Sequence, residues 1–564
     1  MTDVPPVAMR IIRRPYEWAK RPWPDDRVVQ VSFTIATLVV TTFVMMRVVH
    51  WNPLSSQADL VNDDTTPTGG DMGAHVWGPA YLRDHLLPNW QLSGWSMDWY
   101  GGFPIYRFYM VIPALLIVAL DTILPYGVAF KYVVILGSIT LPFCCWAFGR
   151  LARFRYPVPE LFAFAALCFL LRQDGPVNQP IYGGDVLATM AGEFSFSLAL
   201  SLMMLGLGLL ARALDDGTAR VLVWAGVVLA LACLSHGIVL IYAAVGAVVI
   251  VACRCGADLD AWVGRRPPEP GDDLATAAAA AARLRFLRRL KVGLLAGLLT
   301  LLLAAFWVGP FLFNHDYMTD MKYGFRPEGA DDSFWVMLFD QEPVFDFVIN
   351  SLALVGLAAA MVRRQVYGVA LGVIGLIAVA LVYLTRESLP VIGLLWNPRV
   401  LPWVYLVRYL MMMIGVVELA ALVGSFVRNR PARASPSVGE RTLVASATAL
   451  VVLVIFGFVF QVLPGGNRIG DQYAWGPIRS SHGFPDAQSD GWAAFNFKGY
   501  EGIDVYPEYH DVVQTMARIG EEQGCGRALW ENNGRDGRDG GPNDGNGRYG
   551  TTMALMLLPF WTDG

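Results

Sequence analysis

Ten long apolar runs decide what this chain can become. They lie at residues 28–49, 132–148, 194–210, 221–234, 238–253, 292–313, 345–361, 367–384, 403–426 and 443–463. A bilayer core of about 30 Å takes about 20 apolar residues per helical span, and lipid offers no hydrogen bonds to an open backbone, so such runs cross as helices. Two further runs, 109–120 and 161–171, are too short to span unaided; the expectation is 11 or 12 crossings. With 55% hydrophobic and only 16% charged residues over 564 positions, the chain is too apolar for a soluble protein of its size. The expected fold class is an all-α polytopic membrane protein.

Loop charge predicts the orientation. The first run carries a basic flank (Arg10, Arg13, Arg14, Lys20, Arg21) and no small-residue cleavage site, so it reads as an uncleaved signal anchor behind a cytoplasmic tail, 1–27. Arginines cluster at 149–156, 254–291, 363–364 and 427–441, as in cytoplasmic loops. The opposite loops, 50–108, 172–193, 314–344 and 385–402, are then outer: residues 50–105 hold six acids against Arg83, and 314–344 hold seven against Lys322 and Arg326. This is a multi-pass plasma-membrane arrangement, with lipids as its surroundings, and it requires that 109–120 not cross, or cross only with help from a neighbouring segment. In the loop 254–291, "LATAAAAAARLRFLRRLK" suits a helix on a headgroup surface, or equally a linker running into the next span.

Beyond the membrane domain, 28–463, hydropathy falls. Residues 464–564 read as an extracytoplasmic region, α/β or β-rich, expected to be the front part of a domain continuing past Gly564. Within it, 532–550 (NNGRDGRDGGPNDGNGRYG) reads as a loop, and the closing TTMALMLLPFWTDG as strand-like. Six of the seven cysteines lie in or beside apolar runs and read as packing residues, while Cys525 is alone in the tail. With no nucleotide-binding glycine loop, zinc spacing or basic residues interleaved with aromatics, ATP-driven transport, zinc chemistry and a nucleic-acid partner have no support in the sequence.

Candidate chemistry gathers in the outer loops. In "TPTGGDMGAHVWGPAYLRDHLLPNW" (66–90), Asp71 and His75 stand four residues apart beside two glycines. The apolar positions 76, 77, 81, 82 and 86 recur at helical spacing, which predicts a helix lying on the membrane surface. Asp71 either caps that helix or serves as general base toward an acceptor hydroxyl, with His75 orienting it, pairing with a phosphate or sharing a divalent metal, magnesium or manganese. Trp77 and Trp99 offer rings for stacking on a sugar. In the second outer loop, Asp185 and Glu193 are candidates for acceptor or metal binding, or a helix cap and a helix-start charge. His236 reads as a buried histidine bonded to a carbonyl. Arg399, in "WNPRVLP", is the leading candidate for holding a phosphate in a forked geometry, and Arg408 lies deeper, where a charge is paired or functional; snorkelling to headgroups is the alternative for both.

The segments "GGDMGAHVWGPAYLRDHLLP", "WYGGFPIYRFY", "NPRVLPWVYLVRYL", "GCGRALWE" and "YGTTMALMLLPFWTDG" resemble actinobacterial membrane proteins grouped as 6-pyruvoyl-tetrahydropterin synthase-related. The seven histidines offer no counterpart of the soluble synthase's three-histidine zinc site. A long first outer loop with an acid and surface helices is similar to the GT-C class of integral-membrane glycosyltransferases. That resemblance implies transfer of a sugar from a polyprenyl-phosphate donor to a glycan or glycolipid acceptor on the outer face, with inversion, and matches Asp71 to the class's first-loop acid. Two other functions remain open from the residues alone: a transporter or flippase of lipid-linked sugars, and a noncatalytic scaffold binding envelope polymer through its aromatic tail.

Overall fold

The computed structural model describes residues 26–53, 59–171, 182–263, 273–317, 336, 338, 343–385, 397–427, 436–459, 466–469, 472–479, 488–524, 526–528 and 554–562. Expectations for the N-terminal tail, for residues 532–550, for Cys525 and for most of 172–181, 318–335 and 386–396 lie outside the described residues. The apolar runs are helices: α1 (Asp26–Val48), α2 (Ile112–Asp121), α3 (Tyr126–Leu151), α4 (Val158–Leu170), α5 (Phe194–Asp216), α6 (Ala219–Ser235), α7 (Gly237–Val263), α8 (Asp273–Phe313), α9 (Pro343–Val362), α10 (Val366–Thr385), α11 (Leu401–Val427) and α12 (Val438–Val459). Among the described residues, eight helical stretches are long and apolar enough to cross a membrane, and four shorter apolar helices accompany them. At 10 residues, α2 is about 15 Å long, half a bilayer core.

Close helix approach depends on small residues, as expected where dispersion must do the work of association. Every residue of α4 is buried, with α3 and α11 packed on it. Gly137 of α3 touches the backbone of α5, and Ser201 donates to its carbonyl at 2.7 Å. Gly356 of α9 and Gly415 of α11 meet in the same way, each against the partner helix's backbone.

The predicted cytoplasmic arginines are tied to acids at one end of this bundle. Arg254 meets Asp215 at 2.8 Å, Arg153 and Arg212 both reach Asp216, and Arg285 and Arg289 converge on Asp258. The alanine-rich segment is therefore no separate surface helix: it is the first half of the 41-residue α8, continuous with the span because nothing breaks it and its arginines find carboxylates on α5 and α7.

At the other end, the predicted surface helix of residues 72–89 is a series of helical turns, Met72–His75, Trp77–Tyr81, Leu82–Leu86 and Leu87–Asn89. Its apolar face is not spread on lipid. Val76, Trp77, Leu82 and Leu86 are buried in the protein core. A short hairpin follows, β1 (Gly94–Ser96) antiparallel to β2 (Phe103–Ile105). The C-terminal region holds a three-stranded antiparallel sheet, β3 (Gly466–Ile469), β4 (Gln472–Trp475) and β5 (Ile478–Arg479), and helices α13 (Gln488–Lys498) and α14 (Tyr506–Gln523). The closing segment is helical over Ala554–Trp561 instead of strand-like, and it does have partners: Leu557 is fully buried and the Trp561 indole donates to the Tyr509 hydroxyl at 3.1 Å. Short apolar runs read equally as strand or helix, and packing against the outer loop decides this one.

Arg408, inside α11, is paired with Asp346 of α9 at 2.9 Å and donates to the Leu338 carbonyl at 3.2 Å. Removing one partner strands a buried charge, at about 3–5 kcal/mol. Asp346→Asn is expected to lower the thermal unfolding midpoint in detergent more than the double variant Asp346→Leu/Arg408→Met. Equal loss in the two would remove the pair as the reason for these residues.

Candidate functional site

Two loops meet backbone to backbone at the end of the bundle opposite the arginine network. Gly69 and Gly70 have φ of +94° and +52°, which L side chains rarely adopt. The turn sends the Asp71 amide into the Ala191 carbonyl at 2.9 Å. A Cβ on Gly70 would lie 2.6 Å from that oxygen, and a Cβ on Gly192 (φ +120°) would lie 2.9 Å from the Cβ of Asp71. Glycine is needed on both sides for the loops to touch, and the touch brings the Asp71 and Glu193 segments together.

Asp71 occupies the N-cap position of Met72–His75, yet its side chain makes no cap hydrogen bond and is exposed. Its carboxylate is thus not spent on main-chain amides. His75 stands one turn further on, its ring stacked on Tyr109 at 5.4 Å, with the Tyr109 hydroxyl hydrogen-bonded to Nε2 at 3.2 Å. Burial is the largest influence on this imidazole and lowers its pKa from the ordinary 6.5, against Asp71 and Glu193, which raise it, and Arg399, which lowers it further. Burial, with Glu193 and Asp71 adding to it, pushes the Tyr109 hydroxyl well above its ordinary range.

Glu193 closes the turn Thr189–Glu193 just before α5, and Arg399 lies in the turn Asn397–Val400 just before α11. The two form an ion pair, and His236 joins from the break between α6 and α7, its Nε2 3.6 Å from Glu193 Oε2. The Ile238 amide donates to His236 Nδ1 at 3.2 Å, which leaves the ring proton on Nε2, facing Glu193. His236 is therefore held by an amide, not a carbonyl as the sequence suggested. The Tyr242 hydroxyl donates to the Arg399 carbonyl, and its ring stacks on Trp403 at 4.7 Å.

Among the described residues, no group of three His, Cys, Asp or Glu side chains is placed to hold a metal ion. The Glu193 carboxylate faces Arg399 and His236, so the magnesium or manganese expected on Asp71 and His75 gains no third protein ligand among the described residues.

Other sequence candidates are placed elsewhere. Asp185 caps the turn Val186–Ala188, accepting from the Ala188 amide at 2.7 Å. Trp77 is buried, donates to Asp98 at 2.8 Å and packs on Trp99 at 4.4 Å, while the Trp99 indole donates to the Met556 carbonyl at 2.8 Å; these rings build the loop, and the exposed rings nearby are Trp90, Trp95 and Tyr100. Arg408 sits nine positions past Arg399, in its own ion pair.

Two residues that hold the site together escape the sequence reading. Asn496 of α13 is fully buried; its side chain donates to the Met190 carbonyl, and its own carbonyl accepts from the Thr68 amide at 3.1 Å. It therefore wedges between the Asp71 and Glu193 loops. Lys131 of α3, also fully buried, donates to the carbonyls of Leu60 (2.9 Å), Asp63 (2.7 Å) and Phe497 (2.9 Å). Lys131 left a signal, a lone charge in an apolar run. Asn496 left none, because its partners are 306 and 428 positions away in sequence.

No family model matches the sequence, and no curated protein matches it. Among solved structures, the oligosaccharyltransferase of Archaeoglobus fulgidus in the apo form is 12% identical over 87% of this chain and 58% of its own, at a TM-score of 0.48. The archaeal oligosaccharyltransferase AglB of the same organism, in complex with an inhibitory peptide and a dolichol-phosphate, is 14% identical over 85% of this chain and 59% of its own, at 0.45. ArnT from Cupriavidus metallidurans in the apo state is 12% identical over 88% of this chain and 72% of its own, at 0.37. The chain spans 58% of the length of the first of these.

Two measurements check this geometry. Gly192→Ala is expected to force the loops apart and cost about 1–3 kcal/mol, the range for overpacking, read as a lower unfolding midpoint; an unchanged midpoint would show that the loops need no close approach. Burial favours neutral His75 in the folded state, so its contribution to stability is complete above pH 6.5 and is lost as pH falls from there toward the lower folded-state value. Between pH 7.5 and 5, the wild type should lose more thermal stability than His75→Gln, and equal losses would contradict the assignment.

Proposed function

We propose that the chain is an integral-membrane glycosyltransferase of the GT-C type, moving a sugar from a polyprenyl-phosphate donor to an envelope glycan or glycolipid on the outer face of the plasma membrane. In this orientation the N-terminus is cytoplasmic and the region after α12 is extracytoplasmic. One observation carries the reading: the Asp71 carboxylate stands exposed and uncapped, locked by glycine contacts beside the Glu193, Arg399 and His236 group.

The acceptor oxygen bonds to the anomeric carbon as the bond from that carbon to the lipid phosphate breaks. The phosphate leaves with the electron pair, and the acceptor's proton passes to Asp71. His75, neutral at pH 7 and held by Tyr109, orients the acceptor hydroxyl. Arg399 brings positive charge toward the departing phosphate, and Glu193 with His236 holds that guanidinium in place.

A transporter would need charges able to rearrange along the spans. Two of the charges within the helices are committed: Arg408 to Asp346, and Lys131 to three carbonyls. A polymer-binding scaffold would turn its tail aromatics outward, whereas Tyr500, Tyr509 and Trp561 pack on one another.

Asp71→Asn in proteoliposomes is expected to reduce sugar transfer from polyprenyl-phosphate donors by about 10²- to 10⁴-fold, the usual worth of a general base, with the unfolding midpoint and donor binding unchanged. Full transfer by a folded Asp71→Asn protein would sink the proposal.

A further inference from the structure

Away from Asp71, the arginine network of Arg153, Arg212, Arg254, Arg285 and Arg289 is matched by Asp215, Asp216 and Asp258. Outside that network a second group of arginines gathers where the turn between α3 and α4 meets the C-terminal end of α9 and the start of α12. Two bonds fix the meeting. Arg441 of α12 donates through Nη1 to the Tyr156 carbonyl at 3.3 Å, and the Tyr156 and Thr442 hydroxyls share a hydrogen bond at 2.6 Å. They bring Arg441 to the segment that carries Arg155, and the charges acting on Arg441 are those of Arg155, Arg363 and Glu418. Three guanidiniums thus share one carboxylate, and Arg363 takes it, at 2.8 Å. Among the described residues, neither Arg155 nor Arg441 has a carboxylate within ion-pair distance. The acids next to them in sequence turn elsewhere: Glu160 accepts from the Thr34 hydroxyl at 2.8 Å, and Glu440 from the Ser437 amide at 3.0 Å. Like charges this close repel, so the packing that holds them together leaves two positive charges without a counter-charge.

We propose that this cluster binds the phosphate headgroup of an anionic membrane lipid, with Arg155 and Arg441 as its direct contacts and Arg363 adding to the field. Arg155 is exposed and Arg441 partly so, and a guanidinium holds phosphate by charge-assisted, forked hydrogen bonds. Apolar side chains stand exposed beside the cluster on the same helices: Met361 and Val362 before Arg363, Leu443 after Arg441, and Leu422 of α11 one turn past Glu418. A ligand with both an anion and apolar chains matches the cations and these side chains together, whereas free phosphate matches the cations alone. Basic residues scattered over a membrane face attract anionic lipid diffusely. Convergence of three on one carboxylate is not needed for that attraction, and it defines a position. Phosphate there would bridge the α3–α4 turn to α12, so the lipid stabilises the bundle. The site is independent of the transfer chemistry at Asp71.

The test titrates phosphatidylglycerol into the full chain in a neutral detergent and counts bound lipid by native mass spectrometry, with phosphatidylcholine as the uncharged comparison and inorganic phosphate as competitor. Phosphatidylglycerol is expected to bind saturably and raise the unfolding midpoint, and phosphatidylcholine to do neither. Arg155→Gln removes an exposed side chain that pairs with no carboxylate, so the fold should persist while binding weakens about fivefold or more. Arg155→Lys should recover part of the loss, and Arg155→Gln/Arg441→Gln should weaken binding further. Arg220→Gln, at an exposed arginine of α6 outside the cluster, should bind as the wild type does. Equal weakening by Arg155→Gln and Arg220→Gln would reduce the attraction to diffuse surface charge and overturn the site, as would equal binding of the two lipids. Displacement of phosphatidylglycerol by inorganic phosphate would overturn the lipid as the source of the anion.

Discussion

The meeting of two loop backbones, through the Asp71 amide and the Ala191 carbonyl, is the constraint on which the site depends. Around that hydrogen bond the loops approach too closely for a Cβ at Gly70, which would lie 2.6 Å from the Ala191 oxygen, or at Gly192, which would lie 2.9 Å from the Asp71 Cβ. Because Asp71 and Glu193 flank that contact, their spacing is set by main chain, not by flexible side chains. Main chain held in this way keeps the two segments in place without help from their side chains.

The C-terminal region belongs to this arrangement. Asn496 braces both loops, Lys131 braces the first of them through Leu60, Asp63 and Thr65, and the two meet at α13, where the Phe497 carbonyl accepts from the lysine. Glu501 adds a third tie, accepting from the Thr66 amide at 2.9 Å and the Thr66 hydroxyl at 2.8 Å. A segment that composition marks as an outer tail is thus part of the wall of the site. A lysine is tolerated in α3 because three carbonyls and a threonine hydroxyl, from the first loop and from α13, replace its water.

Charge is also sorted along the bundle axis. The arginine-rich end is neutralised pairwise by Asp215, Asp216 and Asp258, while the end that carries Asp71 and Glu193 keeps an exposed carboxylate. The acidic excess noted in the outer loops is therefore only partly structural: Asp98 holds Trp77 and Asp64 accepts from the Gly127 amide, and Asp71 remains open.

By itself, the sequence determined the helices, since each apolar run long enough to cross must close its own backbone hydrogen bonds in lipid. It also determined which loops are acidic, and singled out Asp71, His75, Glu193 and Arg399 as chemistry-bearing residues. Tertiary structure alone decided which of these belong together. It separated Arg408 into a pair with Asp346, turned Asp185 into a cap and Trp77 and Trp99 into packing, and brought in Tyr109, His236 and Asn496. The physical reason is range: helix periodicity is a local property written within a few turns, whereas a site assembled from five loop segments and a distant tail depends on contacts between residues hundreds of positions apart, which no local pattern encodes.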